Sequence, residues 1–242
     1  MVKIKVESNL LISNIPLRVY ETLNLLEPDE YSKHDIIIDV GCGEFAILEK
    51  LLSIHVNSPI LLALDIDMQA LIKAKNSSLP NVNFIRADAR ALPFRSKCVD
   101  KVFALELVEH LPKGTELSFF REVSRVLKER GYFILSVPNH SIFIINMLDP
   151  HWLLGHRHYR SEVLKEMLIR SGFDVKTVRM LGGILNALCY LIYLPHHLLW
   201  SHFLKKEEPP LPFSTVISKL NALDYSRLGV YSTNIFLKAI KA

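Results

Sequence analysis

The chain has only three cysteines in 242 residues, Cys42, Cys98 and Cys189, an odd number without metal-ligand spacing. That excludes a disulfide framework and a cysteine-rich zinc site, and it fits a reducing compartment. Cys42 is expected to be a small filler in its segment rather than a nucleophile. No run of Lys or Arg exceeds a pair, and the formal net charge is only +4. Nothing in the charge pattern therefore calls for a polyanionic partner, and nucleic acid is not indicated. The first residues include Lys3, Lys5 and Glu7, with no apolar core leading to a small-residue cleavage site. A secretory signal is not expected, and the chain reads as cytoplasmic. Internal repeats and low-complexity tracts are also absent. What is abundant is apolar material: 50% of the residues are hydrophobic, enough for one sizeable core in a single domain carrying an insertion.

The apolar material is ordered. Ile36-Ile37-Ile38 runs into Asp39-Val40-Gly41-Cys42-Gly43. An apolar strand that ends in an acidic residue and two close glycines predicts a tight strand-to-helix turn, whose exposed amides and helix N-terminus suit an anionic or zwitterionic ligand. A second strand is expected over Ile60 to Leu64, ending at Asp65, where a carboxylate can take both hydroxyls of a ribose. A third, Val82 to Arg86, precedes Asp88-Ala89 and the turn Leu92-Pro93-Phe94. A fourth, Val99 to Leu105, runs into Glu106-Leu107-Val108-Glu109-His110. Helices are expected over Pro16 to Leu26, Phe45 to Ser53, Met68 to Asn76 and Lys113 to Arg130. The last shows Leu117, Phe120, Val123, Val126 and Leu127 at helical spacing, with Gly131 as its stop. Tyr132 to Val137 is a buried strand. Ser161 is expected to cap a helix with Val163, Leu164, Met167 and Leu168 on one face, closed by Gly172. Phe173 to Arg179 and Val230 to Ile240 read as the last two strands. Strands alternating with helices predict an α/β, doubly wound sheet that binds ligands at the carboxyl ends of its strands.

By itself Gly41-Cys42-Gly43-Glu44-Phe45-Ala46 also fits the dinucleotide fingerprint, which leaves a NAD-binding dehydrogenase domain as an alternative. The ordered set of segments, however, resembles the class I S-adenosylmethionine-dependent methyltransferases, and within them the small-molecule enzymes of the ubiquinone-biosynthesis type. The resemblance spans roughly Asp35 to Met180 plus the last strand. It implies a seven-stranded Rossmann-like sheet with an antiparallel last strand. It also implies tasks: Gly41, Cys42 and Gly43 would hold the methionine part of the cofactor, with Asp39 near its ammonium group. Asp65 would bind the ribose and Ile66 one face of the adenine. Asp88 would accept from the adenine amino group and the Ala89 amide would meet a ring nitrogen; Glu106 belongs to the same cofactor-binding set. One departure is Phe45, which stands where the family usually has a third glycine, and this keeps a non-catalytic, cofactor-binding pseudoenzyme among the alternatives.

The sulfonium of such a cofactor already carries an activated methyl group, so the protein has mainly to align an acceptor and exclude water. Glu109 and His110 are the expected catalytic residues, His110 having an unperturbed pKa suited to a general base. Glu106, Glu109 and His110 also resemble the metal-binding segment of some O-methyltransferases, so a divalent cation is admitted without being the expectation. Gly155-His156-Arg157-His158-Tyr159-Arg160 resembles a loop that these enzymes place over the acceptor. There His156 or His158 could touch substrate and Arg157 could pair with an acidic group on it, or else Arg157 and Tyr159 pin the loop to its neighbours. His140, after Pro138-Asn139, is a further candidate on the same face.

Met180 to Leu204 is 25 residues without a formal charge, long enough on length alone to span a bilayer. Asn186, Pro195, His196, His197 and His202 make it a poor membrane helix. If the last two strands are antiparallel neighbours, both ends of the segment emerge at one end of the sheet, which excludes a single crossing. Residues 181–228 are therefore expected to form a mostly helical cap over the acceptor pocket. Tyr190, Tyr193, Trp200 and Phe203 would offer apolar surface to a lipophilic acceptor, to a membrane leaflet or, through 181–204, to a second copy.

Overall fold

A computed structural model of the chain describes residues 17–44, 60–77, 81–140, 155–183 and 232–242, together with 48, 52, 185, 188, 192, 195, 196 and 198–204. Phe45, most of the helix expected over Phe45 to Ser53 and most of the 181–228 insertion lie outside the described residues; Leu48 and Leu52 are helical as expected.

Seven strands form one sheet: β1 (Ile36–Val40), β2 (Ile60–Asp65), β3 (Val82–Arg86), β4 (Val99–Leu105), β5 (Leu127–Pro138), β6 (Phe173–Leu181) and β7 (Asn234–Lys241). Their order is β3-β2-β1-β4-β5-β7-β6. The first five are mutually parallel, whereas β7 is antiparallel to both neighbours, so β6 again runs with the first five. This is the expected α/β sheet with an inverted last strand.

Adjacent residues of each central strand point to opposite faces, and both faces are buried. Ile38, Val102, Ala104, Phe133 and Leu135 join one apolar cluster, while Ile37, Phe103 and Ile134 join the other. The first cluster lies under α3 (Glu116–Val126) and α4 (Ser161–Arg170), through Phe119, Phe120, Leu164 and Leu168. The second lies under α1 (Leu17–Leu23), through Val19 and Leu23. Parallel strands need this double cover, which is why Ile36-Ile37-Ile38 of β1 and Ile60 to Leu64 of β2 read as unbroken apolar runs. Helix α2 (Met68–Ser77) connects β2 to β3.

Three local expectations change. The helix expected over Lys113 to Arg130 ends at Val126, although its apolar period continues to Leu127. The Cys98 amide donates to the Val126 carbonyl at 2.9 Å and Leu127 pairs with Val99, so the chain leaves the helix to start β5; Arg130 then turns it at φ 62° before Tyr132 pairs with Lys101. Ser161 is the first helical residue rather than the cap. Arg160 takes the cap position, and the Ser161 hydroxyl donates to Glu162 at 2.7 Å. On that helix Val163 is exposed, and Leu164 and Leu168 carry the buried face. Gly172 closes it at φ 86°, as expected.

The carboxyl ends of β1, β2, β4, β5 and β6 lie at one end of the sheet, where β7 begins: Asn234 pairs with both Pro138 and Leu181. The insertion leaves after Gly182 and returns at Thr233, whose amide donates to the Gly182 carbonyl at 3.3 Å. It opens on the end that carries the sequence motifs.

Candidate functional site

The glycine turn after β1 is shaped by its neighbours. The amides of Gly41 and Cys42 both donate to the Leu64 carbonyl, at 2.7 and 3.0 Å, and the Gly43 amide donates to Asp65 Oδ2 at 3.0 Å. Gly41 has φ 81°, and a Cβ there would stand 2.9 Å from Leu107 Cδ1; Gly43 has φ 63° and nothing within 4 Å of an added Cβ. Only glycine meets both demands at position 41, and the face over Gly43 is open. The amides expected to face an anion are spent inside the fold. Beside the turn stand two carboxylates, Asp39, buried on β1, and Asp65 at the end of β2. Carboxylates suit an ammonium group and a pair of hydroxyls and are poorly matched to a pyrophosphate.

Asp65 also accepts from the Asp67 amide at 2.9 Å, so each of its oxygens holds one backbone donor and keeps a further acceptor position. Next to it Ile66 is 59% exposed, an apolar surface at the strand end where a planar base can rest. Across the opening, Asp88 is gripped by Arg90, whose Nε lies 2.9 Å from one carboxylate oxygen and whose terminal nitrogen lies 2.6 Å from the other. The Arg90 hydrogen bonds hold the Asp88 carboxyl below its ordinary range. Ala89 is buried in the core behind it. The loop that follows is fastened by α3: Glu122 accepts from the Leu92 amide at 2.8 Å, and Arg125 donates to the carbonyls of Leu92 and Phe94 at 3.0 and 2.7 Å.

Glu106, just past β4, holds a left-handed backbone at φ 51°. The buried Ser136 of β5 fixes it twice, its carbonyl accepting from the Glu106 amide at 3.0 Å and its hydroxyl donating to Oε1 at 2.7 Å. Leu107 then covers Gly41, and Val108–His110 forms one 3-10 turn. Within that turn the expected catalytic pair diverges: Glu109 is buried, whereas His110 is exposed, its ring 4.6 Å from that of His156 in an edge-to-face contact. Glu106, Glu109 and His110 thus point three ways. Among the described residues no three His, Cys, Asp or Glu side chains gather as a cation site.

His156 is held there by its neighbours. Arg157 ion-pairs with the buried Glu116 and donates to the carbonyls of Val108, Glu109 and Leu111, the Val108 bond being 2.8 Å. Tyr159 donates to the Val108 carbonyl at 3.1 Å, and burial pushes its phenol pKa up. Of the two readings of this loop, Arg157 and Tyr159 pin it, and the Arg157 guanidinium is spent on the protein itself. His140 lies on the same face, its amide donating to the Tyr159 carbonyl at 2.7 Å. Four residues that shape the site carried no separate sequence signal: Leu107, Ser136, Glu116 and Arg90. Only Arg90, two residues from Asp88, stood where local pairing could have announced it.

The family model described as "Methyltransferase domain" matches residues 38–135, the stretch that holds the glycine turn, Asp65, Asp88 and Glu106. Over that stretch the chain is similar to the S-adenosylmethionine-dependent methyltransferases. Its methyltransferase domain is 34% identical over 104 residues to a malonyl-[acyl-carrier protein] O-methyltransferase of Marinomonas sp., covering 42% of this chain and 37% of that one. It is 31% identical over 131 residues to a tRNA (guanine-N(7)-)-methyltransferase of Lactococcus lactis, covering 48% and 58%. The chain thus spans about half the length of these relatives. The solved S-adenosylmethionine-dependent methyltransferase of Mesorhizobium loti superposes with a TM-score of 0.62 at 17% identity, over 95% of this chain and 99% of that one. That likeness bears out the methyltransferase sheet. The residues at its carboxyl end fit the cofactor of such enzymes: Asp39 beside the glycine turn, Asp65 with acceptor positions to spare, and the exposed Ile66.

Proposed function

We propose that the chain transfers the methyl group of S-adenosylmethionine to a small, lipophilic acceptor. The observation that carries this reading is the glycine turn, whose amides bond to Leu64 and Asp65 and which lies beside the carboxylates of Asp39 and Asp65. When bound, the cofactor supplies an electrophilic methyl on a sulfonium.

The chain's own residues do the rest. Asp39 and the turn Gly41-Cys42-Gly43 receive the amino-acid end, with the open face of Gly43 leaving room for close approach. Asp65 uses its remaining lone pairs for the ribose hydroxyls. Ile66 lies against the adenine, Asp88 accepts from its amino group and the Ala89 amide meets a ring nitrogen. Glu106, fixed by Ser136, closes the cofactor side below Leu107. His110 takes a proton from the acceptor, steadied by His156. Glu109 keeps the 3-10 turn in place from its buried position instead of meeting the acceptor directly.

The single domain comprises the whole chain, with residues 181–228 as a cap over the acceptor side, since the insertion opens beside Asn139 and His140 at the carboxyl end of β5. The relatives named for a carrier-protein carboxylic acid and for a tRNA guanine mark how widely acceptors vary within the family. The uncharged stretch 180–204, where the insertion begins, favours an apolar acceptor. Calorimetry with S-adenosylhomocysteine and with NAD tests the cofactor. Binding of the first alone is expected, and binding of NAD alone overturns the proposal. A screen of metabolite and lipid extracts with labelled S-adenosylmethionine then tests transfer; saturable cofactor binding without any labelled product would favour a pseudoenzyme.

A further inference from the structure

We propose, resting on the S-adenosylmethionine reading of the site, that Ser136 is a positioning residue: it holds the Glu106 carboxylate ready for the ammonium end of the cofactor. In the sheet order β3-β2-β1-β4 the glycine turn after β1 is flanked by β2 on one side and β4 on the other. On the β2 side stands Asp65, bonded to the Gly43 amide at 3.0 Å. On the β4 side, Asp39 pairs with Phe103, and parallel strands advance together. Counting onward from that pair brings Glu106 level with the glycine turn. Leu107 marks the same place, its Cδ1 standing 2.9 Å from where a Gly41 Cβ would lie. A ligand with its ribose on Asp65 therefore extends its other end across the turn toward Glu106.

Glu106 is held there against its own preference. Its φ of 51° is a left-handed backbone that disfavours any residue with a Cβ, and such strain persists only where neighbours over-determine it. Ser136 supplies that constraint. It pairs with Leu105 in the ladder, its carbonyl accepts from the Glu106 amide at 3.0 Å, and its hydroxyl donates to Oε1 at 2.7 Å. Because Ser136 is fully buried, its hydroxyl is a fixed point for the half-buried glutamate. Among the described residues nothing else bonds to that carboxylate, so its charge meets one neutral donor and no cation. A carboxylate in that state is a receptor for an ammonium group, and a glutamate already held loses less freedom on binding one. Leaving the strand would need only a glycine at this position; the grip on the carboxylate is what a ligand would use.

Calorimetry of the full chain with S-adenosylhomocysteine and with adenosine, which lacks the amino-acid end, tests this. Ser136→Ala should weaken S-adenosylhomocysteine binding about threefold to tenfold and leave adenosine affinity as in wild type. Glu106→Gly should weaken S-adenosylhomocysteine binding further, and adding Ser136→Ala to it should cost no more affinity, since the hydroxyl then has no carboxylate to hold. Without ligand, that double variant should melt above wild type, because glycine adopts the left-handed backbone freely. Ser136→Cys, similar in volume and a weaker donor, replaces Ser136→Ala should the latter fail to fold. An equal loss for both ligands, unchanged S-adenosylhomocysteine affinity in Ser136→Ala, or a double variant that melts below wild type overturns the proposal and leaves the cofactor reading intact. A wild-type chain that binds neither ligand overturns both.

Discussion

Arg90 and Asp88, two residues apart, form a closed fork. The Arg90 amide donates to Asp88 Oδ1 at 2.8 Å, Nε reaches both oxygens at 2.9 and 3.1 Å, and the terminal nitrogen meets Oδ2 at 2.6 Å. A carboxylate has about four acceptor positions, so this fork leaves room for about one more donor. The amino group of an adenine is such a donor. Arg90→Ala is expected to weaken S-adenosylhomocysteine binding about twofold to fivefold, the worth of an exposed ion pair that orients another group. Asp88→Ala should cost more. Tighter binding in Arg90→Ala, measured by calorimetry, would make the guanidinium a competitor of the base instead.

Asp65 joins the end of β2 to the glycine turn through Gly43 while keeping lone pairs for a ligand. Asp65→Ala should lower S-adenosylhomocysteine affinity by about 2 to 4 kcal/mol, allowing about 1.5 to 3 kcal/mol for each charge-assisted bond and for non-additivity. Unchanged affinity in a folded variant would remove Asp65 from the site.

The two glycines of the turn should respond differently. Gly41→Ala meets both a left-handed backbone and Leu107 at 2.9 Å, so a loss of stability above the backbone penalty of about 1 to 2 kcal/mol is expected. Gly43→Ala meets only the backbone penalty, because nothing stands near its Cβ. Urea unfolding of both variants, with Leu107→Ala added to Gly41→Ala, checks this: Leu107→Ala should recover part of the Gly41 loss and none of the Gly43 loss.

Arg157→Ala leaves the buried Glu116 carboxylate without its cation. A loss of about 3 kcal/mol is expected, at the lower end for a broken buried pair because the Arg157 side chain is 22% exposed. Arg157→Met combined with Glu116→Leu should recover a good part of it. Equal unfolding midpoints for Arg157→Ala and wild type would show that the latch contributes nothing.

Glu122 has its carboxyl held below the ordinary range, chiefly by Arg125 and also by the Leu92 amide. A depressed folded-state pKa stabilises above the unfolded value, near 4.3, and that contribution is lost as pH falls through the lower folded value. Glu122→Gln should therefore lower the melting temperature at neutral pH and bring it closer to wild type below about pH 4. A constant difference across that range would exclude the titration of Glu122 as the cause.

The first two strands and their ligand end were legible because Ile36-Ile37-Ile38 and Ile60 to Leu64 are continuous apolar runs that stop at Asp39 and Asp65, a pattern imposed by a sheet covered on both faces. The reach of the helix before β5 was not legible. Its apolar period runs on through Leu127, and the exit is decided by pairing with Val99, which is distant in sequence. The same holds for the loop at 156–159. Arg157 could equally have met a substrate, and its partner Glu116 lies 41 residues away on a helix face that looked apolar. Glu109 and His110 show the limit most plainly. Adjacent residues of one short turn must diverge, and nothing local says which of them faces outward.

The insertion between β6 and β7 is also a matter of loop closure. Strand β7 is clamped between β5 and β6, so the two ends of the insertion are fixed side by side at Gly182 and Thr233 whatever lies between them. Closing a loop costs only about 0.6 kcal/mol more for each doubling of its length. The length and composition of that stretch can therefore change over a wide range while the pairing of β7, and with it the cofactor end of the sheet, stays as it is. The insertion can be exchanged for another without touching Asp65 or Gly41.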